Sequence, residues 1–179
     1  MLLSQLNRDS FFAFILAFSF FTFSNTSFTF AQDDTRVIEV KFKGNTFPIK
    51  LTDLKKSLKK KTGKVFDPGS KREIQYEGFL VSDVLTFARM NPSNKEEIRF
   101  YCQDGYKPIV TVENSKKFDL ILMYQDHSAP KGKLWGKVYK PDGKTETDPG
   151  PFYVISSKTD HYKSFPWPYQ VVALEVGTF

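Results

Sequence analysis

The sequence predicts an α+β domain, a mixed β-sheet with a few short helices, and three observations lead there. Apolar and polar residues alternate in short runs from residue 36 to the C-terminal end, the pattern of half-buried strands. Two segments instead space their apolar residues three and four apart, the pattern of short amphipathic helices. Glycine, proline and aspartate punctuate the boundaries, as turns require.

The elements follow in order. In "RVIEVKFKG", Ile38, Val40 and Phe42 alternate with Glu39 and Lys41, and "NTFPIK" offers this strand a partner. In "LTDLKKSLKKKTG", Leu51, Leu54 and Leu58 share one helical face, lysines cover the other, and Gly63 is the expected stop. "REIQYE" reads as a short strand and Gly78 as the turn into a second helix. That helix has Ser82 as its N-cap, Val84, Leu85, Phe87 and Ala88 as its stripe, and Asn91 before Pro92 as its end. "EIRFYCQDGYKPIVTV" is a hairpin turning at Asp104-Gly105, with Ile98, Phe100 and Cys102 on one face and Arg99, Tyr101 and Gln103 on the other.

"FDLILMYQD" is apolar enough for a strand buried on both faces. The long polar stretch after it, residues 127–150, reads as a loop in which Trp135 and Tyr139 are expected to act as anchors. "PFYVISS" and "FPWPYQVVALEV" close the chain as strands. The "PWP" triplet marks a strand entrance, and Tyr169, Val171, Ala173 and Glu175 are expected opposite Gln170, Val172, Leu174 and Val176.

Residues 1–31 read as a leader. Phe11 to Phe23 carries no charge, is too short to span a bilayer comfortably, and is followed by Thr29 and Ala31 before an expected cut at Gln32. A retained anchor is the alternative; no cysteine closes the apolar run, so a lipidated cysteine is not the device. Residues 32–179 are then one exported domain, periplasmic or secreted. The leader holds one Arg and one Asp, so the domain keeps the chain's net charge of +6. A basic exported domain is drawn to anionic lipid, polysaccharide or acidic proteins, and nucleic acid is not among its expected partners. The run Lys55 to Lys64 is where an anionic surface would dock, although a solvated helix face explains it as well.

A single cysteine, Cys102, excludes an internal disulfide, a C-x-x-C redox pair and a C-x-x-C-H haem site. Zinc held by Cys102, His127, His161 and a carboxylate is formally open, but no short ligand spacing supports it. Cys102 has two competing readings, a thiolate holding a metal cofactor or a small apolar residue in the core. Its place beside Ile98 and Phe100 favours the second. Tyr106, Tyr153 and Trp167 would line a pocket or fill the core, and Asp104-Gly105 would be either a site turn or plain hairpin geometry.

The segments "YEGFLVSDVL", "IRFYCQDGY", "LILMYQD" and "PGPFYVIS…WPYQVVALEV", in this order, resemble the molybdopterin-binding domain of the sulfite-oxidase-like oxidoreductases. The chain is most similar to a short exported branch in which D-G-Y, P-F-Y and W-P-Y-Q recur. The resemblance covers about residues 65–176 and implies a mixed-sheet domain that buries a pyranopterin and holds molybdenum through one cysteine. It also implies a c-type cytochrome or another envelope redox protein as partner. In catalytic members the cysteine lies upstream of the glycine-to-helix segment, and this chain has none upstream of Gly78. Molybdenum ligation is therefore not carried onto Cys102 by the resemblance. For a pterin phosphate the available donors are Arg72, Arg99, Lys158 and His161, with Asp104 and Tyr106 at the neighbouring turn. The expectation is an exported, cofactor-poor relative acting as a redox-accessory or ligand-binding protein. An active molybdopterin oxidoreductase and a basic surface-binding module are the alternatives.

Overall fold

Eleven strands and three short helices make up the computed structural model, which describes residues 34–140, 143–158 and 165–179. The leader assigned to residues 1–31, the expected cut before Gln32 and His161 lie outside the described residues.

The first strand, β1 (Val37–Phe42), forms as the alternation requires, with Ile38 and Val40 fully buried. It pairs antiparallel with β2 (Asn45–Lys50), while its other edge pairs parallel with β11 (Val171–Gly177). β11 in turn pairs with β5 (Glu97–Cys102), and β5 with β6 (Ile109–Thr111). The resulting five-stranded sheet runs β2-β1-β11-β5-β6 and joins the two ends of the domain.

A four-stranded antiparallel sheet runs β10-β7-β4-β3, from β3 (Lys61–Asp67), β4 (Arg72–Leu80), β7 (Leu120–Asp126) and β10 (Tyr153–Ser156). β7 is buried on both faces as its composition predicts, every residue but Gln125 being out of solvent. One contiguous apolar cluster draws on both sheets and on all three helices. Residues Asp33–Phe179 form one compact unit.

Several expectations are corrected. α1 covers only Leu51–Ser57, and its chain is already extended at Leu58. Gly63 is therefore no helix stop; it lies inside β3, paired with Tyr76, where a Cβ would meet the tyrosine hydroxyl at 2.7 Å. The lysine run is divided between helix and strand. Lys55, Lys60 and Lys64 pair with Asp34, Glu77 and Glu73 respectively, so they do not present one basic helical face.

Gly78 is likewise not a turn. It stands within β4 opposite a bulge of β7, where Tyr124 is the extra residue, and a Cβ there would approach the Leu122 carbonyl oxygen to 2.6 Å and the Met123 Cα to 2.8 Å. α2 (Val81–Phe87) starts directly from the strand, with Leu80 rather than Ser82 at its N-cap, and ends before Ala88. β6 is cut short by an unexpected helix, α3 (Val112–Lys117). The Thr111 hydroxyl caps it, accepting from the Asn114 amide at 3.1 Å.

The alternation expected for β11 is broken by a bulge between Val171 and Ala173. The extra residue moves Val172 out of register, so Val171 and Leu174 are both fully buried. The long loop contains a small hairpin of its own, β8 (Val138–Tyr139) with β9 (Glu146–Thr147). Trp135 is buried as an anchor, whereas Tyr139 stays partly exposed with the Lys71 ammonium 5.0 Å from its ring centre.

Candidate functional site

The hairpin turn after β5 gathers three of the residues singled out from sequence. Cys102 accepts through its carbonyl from the Gly105 amide at 3.0 Å, and its own amide donates to the Tyr106 carbonyl at 3.1 Å. Asp104 closes the turn by accepting the Tyr106 amide at 3.0 Å, and Gly105 sits at φ +87°, a backbone region glycine enters without strain. Asp104 and Gly105 thus have a complete structural role in the turn itself.

Cys102 is only 7% exposed and shares its face with the fully buried Ile98 and Phe100. Burial, reinforced by the negative charge of Asp104, pushes its thiol up to about 12. The outer face of the same strand carries the charges. There Arg99 lies 3.8 Å from Glu175, its guanidinium carbon 3.7 Å from the Phe179 ring centre, and the Tyr101 hydroxyl donates to Glu175.

The aromatic candidates divide. Tyr106 is 48% exposed beyond the turn, while Tyr153 and Trp167 are core residues. The Tyr153 hydroxyl donates to buried Asp67 at 2.6 Å, and burial followed by the Asp67 charge holds that phenol protonated. Asp67 also accepts the amides of Gly69 and Ser70, closing the β3–β4 turn.

The cationic candidates are dispersed. Arg72 is on β4 in the other sheet, where it donates to Asp126 at 2.5 Å and to the Ser128 hydroxyl at 2.7 Å. Lys158 lies 3.2 Å from Asp119 and donates to the Lys117 carbonyl at 2.6 Å. The described donors are therefore not gathered about one point; each is engaged by groups of its own neighbourhood. No group of three or more metal-binding side chains occurs among the described residues.

Sequence reasoning missed a polar cluster around Glu77. Tyr124 is the extra residue of β7 at the register shift between Glu77 and Gly78, and Glu77 meets it together with His127 and Lys60. Its carboxylate accepts from the Tyr124 hydroxyl, meets His127 Nε2 at 2.8 Å and accepts from Lys60 at 3.0 Å. Burial alone would raise the Glu77 carboxyl, but these hydrogen bonds and the Lys60 charge outweigh it and hold the group at about 2. Across the Tyr124 ring, Arg36 donates to the Tyr124 and Pro151 carbonyls at 2.6 and 3.0 Å. Its guanidinium also holds Asp34 well below the usual carboxylate range. The sequence signal was Gly78 directly after Glu77 inside a strand pattern, which marks a bulge as readily as a turn.

A second feature had no sequence signal. An open groove of about 520 Å³ lies between β1, β2 and the chain leaving α2, lined by Phe42, Phe47, Ile49, Phe87, Met90 and Arg89 among others.

No family model and no curated protein matches this chain. Among solved structures it is similar to the crystal structure of the sulfane dehydrogenase SoxCD from Paracoccus pantotrophus, with a TM-score of 0.55 at 10% identity. The match covers 82% of this chain but only 39% of that one. At such identity the likeness concerns the fold: a mixed-sheet α+β domain of sulfite-oxidase-like architecture. It does not rest on the short D-G-Y, P-F-Y and W-P-Y-Q motifs.

Proposed function

We propose that this chain is a cofactor-poor sulfite-oxidase-like domain, exported and acting in the cell envelope as a small-ligand-binding or redox-accessory protein. The observation that carries the reading is the environment of Cys102. A metal takes the thiolate, not the thiol. This sulfur is buried among Ile98 and Phe100, and burial pushes it up to about 12.

The described cations named for a pterin phosphate, Arg72, Arg99 and Lys158, do not converge on such a group either. Arg72 and Arg99 stand on different sheets, and each faces a carboxylate already in place. A doubly charged phosphate needs several cations converging on one point. We derive no step through molybdenum.

Metal analysis and thiol labelling of protein purified from its native host test the reading together. Molybdenum well below one per chain, with Cys102 alkylated only on unfolding, is the expected result. Stoichiometric molybdenum that disappears in both Cys102→Ala and Cys102→Ser would replace it with an active molybdopterin oxidoreductase.

A further inference from the structure

We infer that the groove beside α2 binds an amphipathic carboxylate, an acyl or aromatic chain ended by a single negative charge. The inference rests on the ligand-binding reading above and names the class of ligand. The groove's volume of about 520 Å³ lies in the range of small-molecule sites. Its walls are apolar: Phe42 and Phe87 pack only partly into the core, and Phe47 projects from the edge strand with 43% of its surface exposed. Exposed aromatic surface gathered in a concavity, rather than scattered singly, marks a binding surface.

Among the described residues, the one charged side chain in this lining is Arg89. Arg36, Arg72 and Arg99 each face a carboxylate, but no described residue pairs with the Arg89 side chain. Its backbone is also unusual. Arg89 stands at φ +60°, a left-handed conformation that costs free energy for any residue other than glycine. It lies just past the C-cap of α2, with its amide bonded to the Thr86 carbonyl, and the next amide returns to the Leu85 carbonyl so that Met90 is buried. The reversal leaves Met90 in the core and Arg89 lining the groove. An unpaired guanidinium above an apolar trough complements a carboxylate with an apolar tail.

Calorimetric titration of the full chain with decanoate, decanol and decyltrimethylammonium tests this. Decanoate should bind best of the three. Arg89→Gln should weaken decanoate about tenfold, the scale of one lost charge-assisted contact, and leave decanol unchanged. Phe47→Asp should weaken both, and since Phe47 and Arg89 are exposed, both variants should melt with the parent. Equal affinity for decanoate and decanol, an unaffected Arg89→Gln variant or no binding at all would overturn the assignment. So would phosphatidylglycerol vesicles that displace decanoate and fail to bind Arg89→Gln, since the groove would then belong to a membrane surface. Molybdenum in the native protein would sink the cofactor-poor reading without altering decanoate affinity, so the two failures are distinguishable.

Discussion

β5 and β4 are both interior strands of their sheets, yet they treat polar chemistry in opposite ways. On β5 the faces are cleanly separated, with Ile98, Phe100 and Cys102 inward and Arg99 and Tyr101 outward. Where β4 meets β7, the extra residue Tyr124 opposite Glu77 and Gly78 breaks that separation and brings a buried tyrosine against a carboxylate. Undisturbed alternation produces a neutral interior in which a thiol stays protonated. A single extra residue creates a place where charge is retained, provided hydrogen-bond partners surround it.

The largest loss is expected where β4 faces the β7 bulge. Gly78→Val would drive a branched side chain into the Leu122 carbonyl and the Met123 backbone, which cannot swing aside. A loss of about 3 kcal/mol or more is expected from overpacking against a backbone. A denaturant midpoint close to that of the parent would show that β4 and β7 do not approach so closely.

The next largest effect is expected on acid titration. Glu77 is held at about 2 in the folded state against an unfolded value of 4.5, so its contribution is fully present above about pH 4.5. It is lost as pH falls through about 2, and for this largely buried side chain it amounts to about 2 to 3 kcal/mol. Glu77→Gln should therefore be less stable than the parent at pH 6 and approach it near pH 2. Parallel stability curves for the two proteins would remove the carboxylate from the account.

On the β5 side, Cys102→Ser should cost about 1 to 3 kcal/mol, because a hydroxyl replaces the thiol in apolar surroundings. Cys102→Ala should cost less, leaving a small cavity and no unpaired polar atom. Equal costs, measured by thermal melting, would place the sulfur in a polar site. The smallest effect is expected at the hairpin tip. Gly105→Val meets no atom within 4 Å but forces a β-branched residue to positive φ, a cost of about 1 kcal/mol.

The strands were legible wherever one face meets core and the other solvent, as in β1 and β5, because period two then survives in the sequence. Breakdown came where pairing overrode local preference. Thr62, Gly63 and Lys64 resemble a helix ending, yet lie opposite Glu77, Tyr76 and Gln75 in a sheet. Gly78 was visible as special, but sequence does not distinguish a turn from a close approach by a strand more than forty residues away. The groove and the partners of Glu77 join residues distant in the chain, so beyond the glycine at position 78 no local pattern encodes them. Cys102 was readable because its face is set by immediate neighbours.

The parallel pairing of β1 with β11 has a consequence for how the chain folds. β11 is the last strand of this sheet in chain order, and it is the central member, joining β2-β1 on one side to β5-β6 on the other. Until it pairs, those four strands are two separate ribbons, and isolated two-stranded ribbons are marginal in water. The five-stranded sheet therefore waits on β11 to close over contacts of very long sequence separation, the slow class of folding event.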